Sequence, residues 1–192
     1  MELLVLGLVV FLGTHSLRLR SAGIRSSLIM RFGEKGFKGL YAMFSLAGLV
    51  AVVVGFGLAR EVPVLLWTPP AALRHLAFLL MALSLILLAA AYVPNNRIRA
   101  RVHHPMVLSV KVWALAHLLV NGTLAHVVLF GSFLVWSVLL FSASRRRDRD
   151  QEVVYLPGTR NATVLTIVLG LLACVVFIVW LHGILIGIRL VA

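Results

Sequence analysis

The residues with most chemistry to offer are histidines set in apolar surroundings. His117 follows the pair His103-His104, thirteen positions after His104, in a stretch running from Pro105 to Asn121 that also carries Lys111 and Trp113. A histidine and a lysine inside so apolar a helix are costly at membrane depth and point to something bound there. On a helix turning 100° per residue, Lys111 falls nearly under His104, while Trp113, His117 and Asn121 share another face. Rise alone places His117 about 20 Å from the helix start, too deep for a residue of the near surface. Lys111 can equally well snorkel to that surface, and Trp113 can serve as packing. His15 lies in Thr14-His15-Ser16, followed by Arg18 and Arg20, and is read equally well as an interfacial histidine or as a ligand. His103 and His104 precede Pro105, which suits a first helical turn because proline has no amide hydrogen to lose. His75 and His126 are expected to be interfacial or hydrogen-bonded, and His182 to make a hydrogen bond to a neighbouring helix.

Those positions need a lipid-embedded frame. Hydrophobic residues make up 61% of the 192, against 18 basic and 6 acidic side chains. That exceeds the roughly 45–50% of a soluble domain, so the chain is expected to be an all-α integral membrane protein forming one membrane domain over 1–192. Six apolar runs approach the roughly 20 residues that cross the hydrocarbon: Leu3 to His15, Leu40 to Leu58, Ala71 to Val93, Pro105 to Val120, Val127 to Ser142 and Thr163 to Ile188. They predict a bundle of about six transmembrane helices. The first run begins with Glu2 and has no basic start or small-residue cleavage site, so it is expected to be retained. Asn121-Gly122-Thr123 predicts a tight turn that makes a hairpin of the fourth and fifth spans. Cys174 is the only cysteine, which excludes an intrachain disulfide. No Cys-x-x-Cys-His run exists to attach a haem covalently.

Basic residues fall into three segments. Residues 17–38 hold Arg18, Arg20, Arg25, Arg31, Lys35 and Lys38; residues 94–104 hold Arg97, Arg99 and Arg101; residues 143–162 hold Arg145, Arg146, Arg147, Arg149 and Arg160. The positive-inside rule then predicts three cytoplasmic loops and both termini outside. The net charge of +12 is an orientation signal, with anionic lipid rather than nucleic acid as the expected partner. Ile24, Leu28, Ile29 and Phe32 recur at helical spacing and predict a short helix on the membrane surface.

Gly13-Thr14-His15-Ser16 with Arg18, and His104-Pro105 followed by Trp113-Ala114-Leu115-Ala116-His117-Leu118-Leu119 with Asn121-Gly122, resemble the NnrU family over nearly the whole chain. These are bacterial membrane proteins named from denitrification clusters, and the ζ-carotene isomerases share the pattern. The resemblance implies an inner-membrane protein linked to nitrite or nitric oxide respiration, holding haem b through axial ligands His15 and His117. Its partners would be respiratory or nitric oxide reductase components. The alternative it implies is a haem-dependent cis-trans isomerase of a lipophilic polyene. That branch carries a cysteine three residues before the second ligand, where this chain has Ala114. Arg18, Arg20, Arg99 and Arg101, on the side expected to be cytoplasmic, are placed to neutralise haem propionates, with Lys111, Trp113 and Asn121 as further cofactor contacts. Depth alone offers His104 as another partner for His15, because His15 and His117 are each about 20 Å from opposite surfaces. A more remote likeness, to membrane methyltransferases of the isoprenylcysteine carboxyl type, rests on the His-Pro hairpin opening and the acidic trio Asp148, Asp150 and Glu152. A non-catalytic assembly protein is the remaining class.

Overall fold

The computed structural model describes residues 1–18 and 22–190. Within them run seven helices: α1 (Glu2–His15), α2 (Ala22–Glu61), α3 (Leu73–Tyr92), α4 (Arg97–Val102), α5 (Pro105–Val120), α6 (Leu124–Asp150) and α7 (Arg160–Ile186). α2, α3, α6 and α7 are long and apolar enough to cross a membrane, and α1 and α5 are shorter apolar helices. All six apolar runs of the sequence are thus helical, and the chain is a multi-pass membrane protein of all-α class.

Helices outlast the apolar runs where charged residues take over. α2 continues through Glu34 and Lys38, paired at 2.8 Å one turn apart, and α6 continues through Arg146 and Asp150, paired at 4.0 Å. Such pairs at i, i+4 support a helix once it leaves apolar surroundings. α2 is interrupted at Gly33, whose φ of 70° and ψ of 166° suit glycine alone. The leg before Gly33 is the short helix expected over Ile24 to Phe32. In α7 a π turn occupies Phe177–Leu181, just before His182.

The chain divides into two compact units, Met1–Pro69 with Asn121–Ala143, and Pro70–Val120 with Ser144–Ala192. In the first, α1 packs against α2 through small residues. A Cβ added to Gly48 would lie 2.7 Å from the Phe11 backbone nitrogen, and one added to Gly55 2.7 Å from the Leu3 carbonyl carbon. Backbone approach of this kind replaces the hydrophobic drive that lipid removes. The Asn121–Thr123 connection is held by Leu66 and Trp67, whose amides donate to the Gly122 carbonyl at 2.8 and 3.2 Å.

In the second unit α3 packs against α5 and α7. Small residues again line the contacts: Ala77, Ala90, Ala114 and Ala116 are buried, while Leu79 and Tyr92 are exposed. Ser84 Oγ donates across to the Ser109 carbonyl at 3.0 Å, which satisfies a buried hydroxyl between helices. The α3–α4 connection turns on Asn96, only 1% exposed. Its Oδ1 caps α4 by accepting from the Arg99 amide at 2.7 Å, and its Nδ2 donates to the Ala90 and Val93 carbonyls at 3.0 and 2.6 Å. The same corner is fastened to the α6–α7 connection. Thr159 N donates to the Asn95 carbonyl at 2.8 Å, Arg97 N to Thr163 Oγ1 at 2.9 Å and Arg97 Nε to the Gly158 carbonyl at 3.1 Å.

Candidate functional site

His15 ends α1 inside an aromatic cradle of the first unit. Its Nδ1 is 2.8 Å from the Phe11 carbonyl. A carbonyl only accepts, so Nδ1 carries the hydrogen and Nε2 presents its lone pair when the ring is neutral. The ring lies 4.3 Å from Phe11, 5.5 Å from Tyr41 and 6.4 Å from Trp136, the last edge-on at 85°. Trp136 is itself fixed, because its Nε1 donates to Ser16 Oγ at 3.1 Å, and Ser16 in turn donates to the Leu12 carbonyl at 2.6 Å. The close approach at Gly48 brings α2, and so Tyr41, against this end of α1. The cradle therefore holds one imidazole in one orientation with apolar walls.

His117 repeats the local arrangement on α5 of the second unit. Its Nδ1 donates to the Trp113 carbonyl at 2.9 Å, and the Trp113 ring lies 5.2 Å away at 53°. The shared helical face expected for Trp113 and His117 is thus a real contact. Ala114, at the position where the isomerase branch has a cysteine, is fully buried. Lys111 lies half-buried on the same helix, Arg99 and Arg101 lie exposed on α4, and Asn121 belongs to the first unit. Arg20 and the side chain of Arg18 lie outside the described residues.

The second unit also gathers groups that sequence reasoning left apart. Asp148 Oδ2 accepts from His104 Nε2 at 2.8 Å and from the Tyr155 hydroxyl at 3.0 Å, with His103 Nδ1 at 3.6 Å. The His103 and Tyr155 rings stack, with centroids 3.9 Å apart. His104, offered by depth as a possible iron ligand, thus shares with His103 one carboxylate that lies 44 residues beyond it. Asp148 had stood out only as one of an acidic trio. Its partners are separated along the chain by whole helices, and no periodicity links them. Among the described residues no group of three His, Cys, Asp or Glu side chains is arranged to hold a bare metal ion, so this is a hydrogen-bonded network.

Burial pushes the Tyr155 phenol above its ordinary range, the Asp148 hydrogen bond and charge add to that, and Arg99 and Arg145 oppose it. A group whose folded-state pKa is raised contributes stability below its unfolded value, about 10 for tyrosine, and loses it as pH rises through the folded value. Tyr155→Phe should therefore flatten the alkaline limb of the stability profile above about pH 10. A profile identical to that of the parent would remove Tyr155 from this role.

His126 donates or accepts at Thr123 Oγ1 at 2.6 Å, against the edge of Phe56 at 5.2 Å, a hydrogen-bonded histidine as expected. For His182 the expectation needs correcting. Its Nδ1 meets the Ile188 carbonyl at 2.7 Å, a bond closed within the end of α7 and not made to a neighbouring helix, because the chain turns at Gly187 with φ 79°.

Compared with known families, residues 3–190 match the profile described as NnrU protein. The chain belongs to the NnrU family. No curated protein and no solved structure matches it. Membership covers both units, so the NnrU pattern takes in the His15 cradle and the α5 face alike. Haem, the cofactor that the NnrU resemblance implies, needs an imidazole whose distal nitrogen is unprotonated and whose ring is held by a bond at the other nitrogen. Both His15 and His117 meet that requirement through a carbonyl one turn earlier. His104 differs, since its Nε2 is taken up by Asp148.

Proposed function

We propose that this chain is a haem-b-binding protein of the bacterial inner membrane, serving nitrite or nitric oxide respiration, with His15 and His117 as the iron ligands. The observation that carries the reading is the tautomer that each histidine's own helix imposes. A carbonyl four residues back takes the Nδ1 hydrogen and leaves Nε2 as the basic nitrogen. Phe11, Tyr41 and Trp136 supply aromatic walls around His15 that suit a macrocycle. When bound, haem with two imidazole ligands supplies one-electron transfer or sensing, with its potential set by axial ligands and burial. The chain's own part is to orient the rings. The absorption spectrum of the purified protein tests this: a Soret band is expected, and its absence from folded protein expressed with a haem precursor overturns the reading.

The three basic segments belong in the cytoplasm beside anionic lipid, with both termini outside. Reporter fusions placed after Asp148 and at the C-terminus should give opposite answers, cytoplasmic for the first and periplasmic for the second. The same side for both would overturn the orientation.

A further inference from the structure

Residues 153–158, between α6 and α7, run outside any helix, yet they are tied at both ends and in the middle. α6 ends in a Schellman turn: Val153 N donates to the Asp148 carbonyl at 2.9 Å and Glu152 N to the Arg149 carbonyl at 3.2 Å. Glu152, at φ 48°, fills the left-handed position where glycine is usual. In mid-loop the Tyr155 hydroxyl donates to Asp148 Oδ2 at 3.0 Å, and its ring stacks on His103 with centroids 3.9 Å apart. His103 is itself held at φ 67°, a conformation that a non-glycine residue keeps where its surroundings dictate it. The far end is the fastening of Gly158 and Thr159 to residues 95–97.

Tyr155 is thereby turned inward and its neighbours outward, the alternation of extended chain. Val154 and Leu156 are 85% and 80% exposed. A loop tied in this way cannot fold the two side chains away, so they stand as a fixed aliphatic pair. Their surroundings are basic. Arg146, Arg147 and Arg149 are exposed on the last turns of α6, and Arg97, Arg99 and Arg101 are exposed on α4, to which the far end of the loop is fastened. Leu156 lies four residues before Arg160, the first residue of the apolar α7. At ~3.5 Å per residue, chain length alone keeps it within about 14 Å of that helix start.

Aliphatic side chains flanked by arginines at the end of a membrane-crossing helix match the boundary of an anionic bilayer, where apolar groups sink among the headgroups and cations meet lipid phosphates. We propose that Val154 and Leu156 insert into the headgroup layer of an anionic phospholipid bilayer, displayed there by Tyr155, which its contacts with Asp148 and His103 hold inward. Tyr155 is thus a positioning residue for a membrane anchor. His15 and His117 take no part, and insertion holds in either orientation of the chain.

A nitroxide probe reads the insertion. Val154→Cys and Gln151→Cys, each in the full chain with its only cysteine replaced by Cys174→Ala, are spin-labelled in nanodiscs of phosphatidylglycerol and phosphatidylethanolamine. Collision with oxygen, which concentrates in lipid, is compared with collision with a neutral nickel chelate, which stays in water. Gln151 is exposed on the α6 side of the loop. The oxygen-to-chelate ratio should be at least about twofold higher at position 154 than at position 151, as for a side chain sunk among headgroups. Equal ratios overturn the anchor and leave a soluble partner as what covers the pair. Adding Tyr155→Ala should lower the ratio at 154 toward that at 151, and a ratio it leaves unmoved overturns the positioning role. Should the labelled Val154→Cys chain fail to fold, Leu156→Cys decides by the same comparison.

Discussion

Alanine at His15 should abolish the low-spin spectrum of a bis-histidine haem, and alanine at His117 should do the same. An iron-bound imidazole cannot be replaced by a methyl group without opening a coordination position, whereas a histidine that only packs or hydrogen-bonds can be lost with the spectrum intact. His15→Ala removes the one ring that the Phe11 carbonyl orients inside the cradle of Phe11, Tyr41 and Trp136. Added imidazole should restore part of the signal in His15→Ala if the cradle itself survives. His75→Ala and His182→Ala should retain the parent spectrum, the latter because His182 bonds only within its own chain end. His104→Ala is the discriminating control. Its Nε2 is held by Asp148, so its loss should alter the Asp148 network and leave the spectrum alone. A low-spin signal destroyed by His104→Ala and preserved by His117→Ala would reverse the assignment.

The second large effect is expected on stability, at the fastening of the α3–α4 connection to the α6–α7 connection. Gly158 lies directly on the Asn96–Arg97 peptide, and a Cβ there would run into its backbone atoms. Gly158→Ala should therefore separate the two connections or prevent folding. Asn96→Ala removes the α4 cap and leaves the Ala90 and Val93 carbonyls without their donor, at a cost of roughly 2–4 kcal/mol. Thermal unfolding of the purified protein should show a fall of upward of about 5 °C for Asn96→Ala, at about 2–4 °C per kcal/mol, and a larger fall for Gly158→Ala. Gly57→Ala makes the control, because nothing lies within 4 Å of a Cβ there and alanine is the better helix former. It should be neutral or slightly stabilising. Parental stability in Gly158→Ala would show that the fastening contributes nothing.

Apolar length was legible in the sequence because membrane helices must satisfy their own backbone in lipid. Six runs read from composition are six helices, and Pro105 opens α5 as a residue with no amide to lose should. Helix ends were less legible. The charged residues Glu34 to Lys38 and Arg145 to Asp150 look like loops by hydropathy, yet they continue α2 and α6 by pairing one turn apart. Gly33 gave no warning of its left-handed break, since glycine marks freedom without saying how it is used.

The candidate sites divide along the same line. The Trp113–His117 contact follows from helical periodicity, because the two residues are four apart. Tyr41 and Trp136 around His15 come from other helices, and the Trp136–Ser16 bond spans 120 positions. The pairing of His104 with Asp148 spans 44. A single sequence holds no periodic trace of such meetings. What it offered was weaker: one carboxylate set in a run of arginines, and an asparagine just before a short helix, where capping residues belong.

Whether His15 and His117 hold haem is decided by the absorption spectrum of the detergent-purified full chain, after expression with a haem precursor supplied. A Soret band is expected, with the sharp reduced α and β bands of low-spin bis-imidazole iron, at about one haem per chain. A protein that purifies folded and carries no Soret band under those conditions would contradict it.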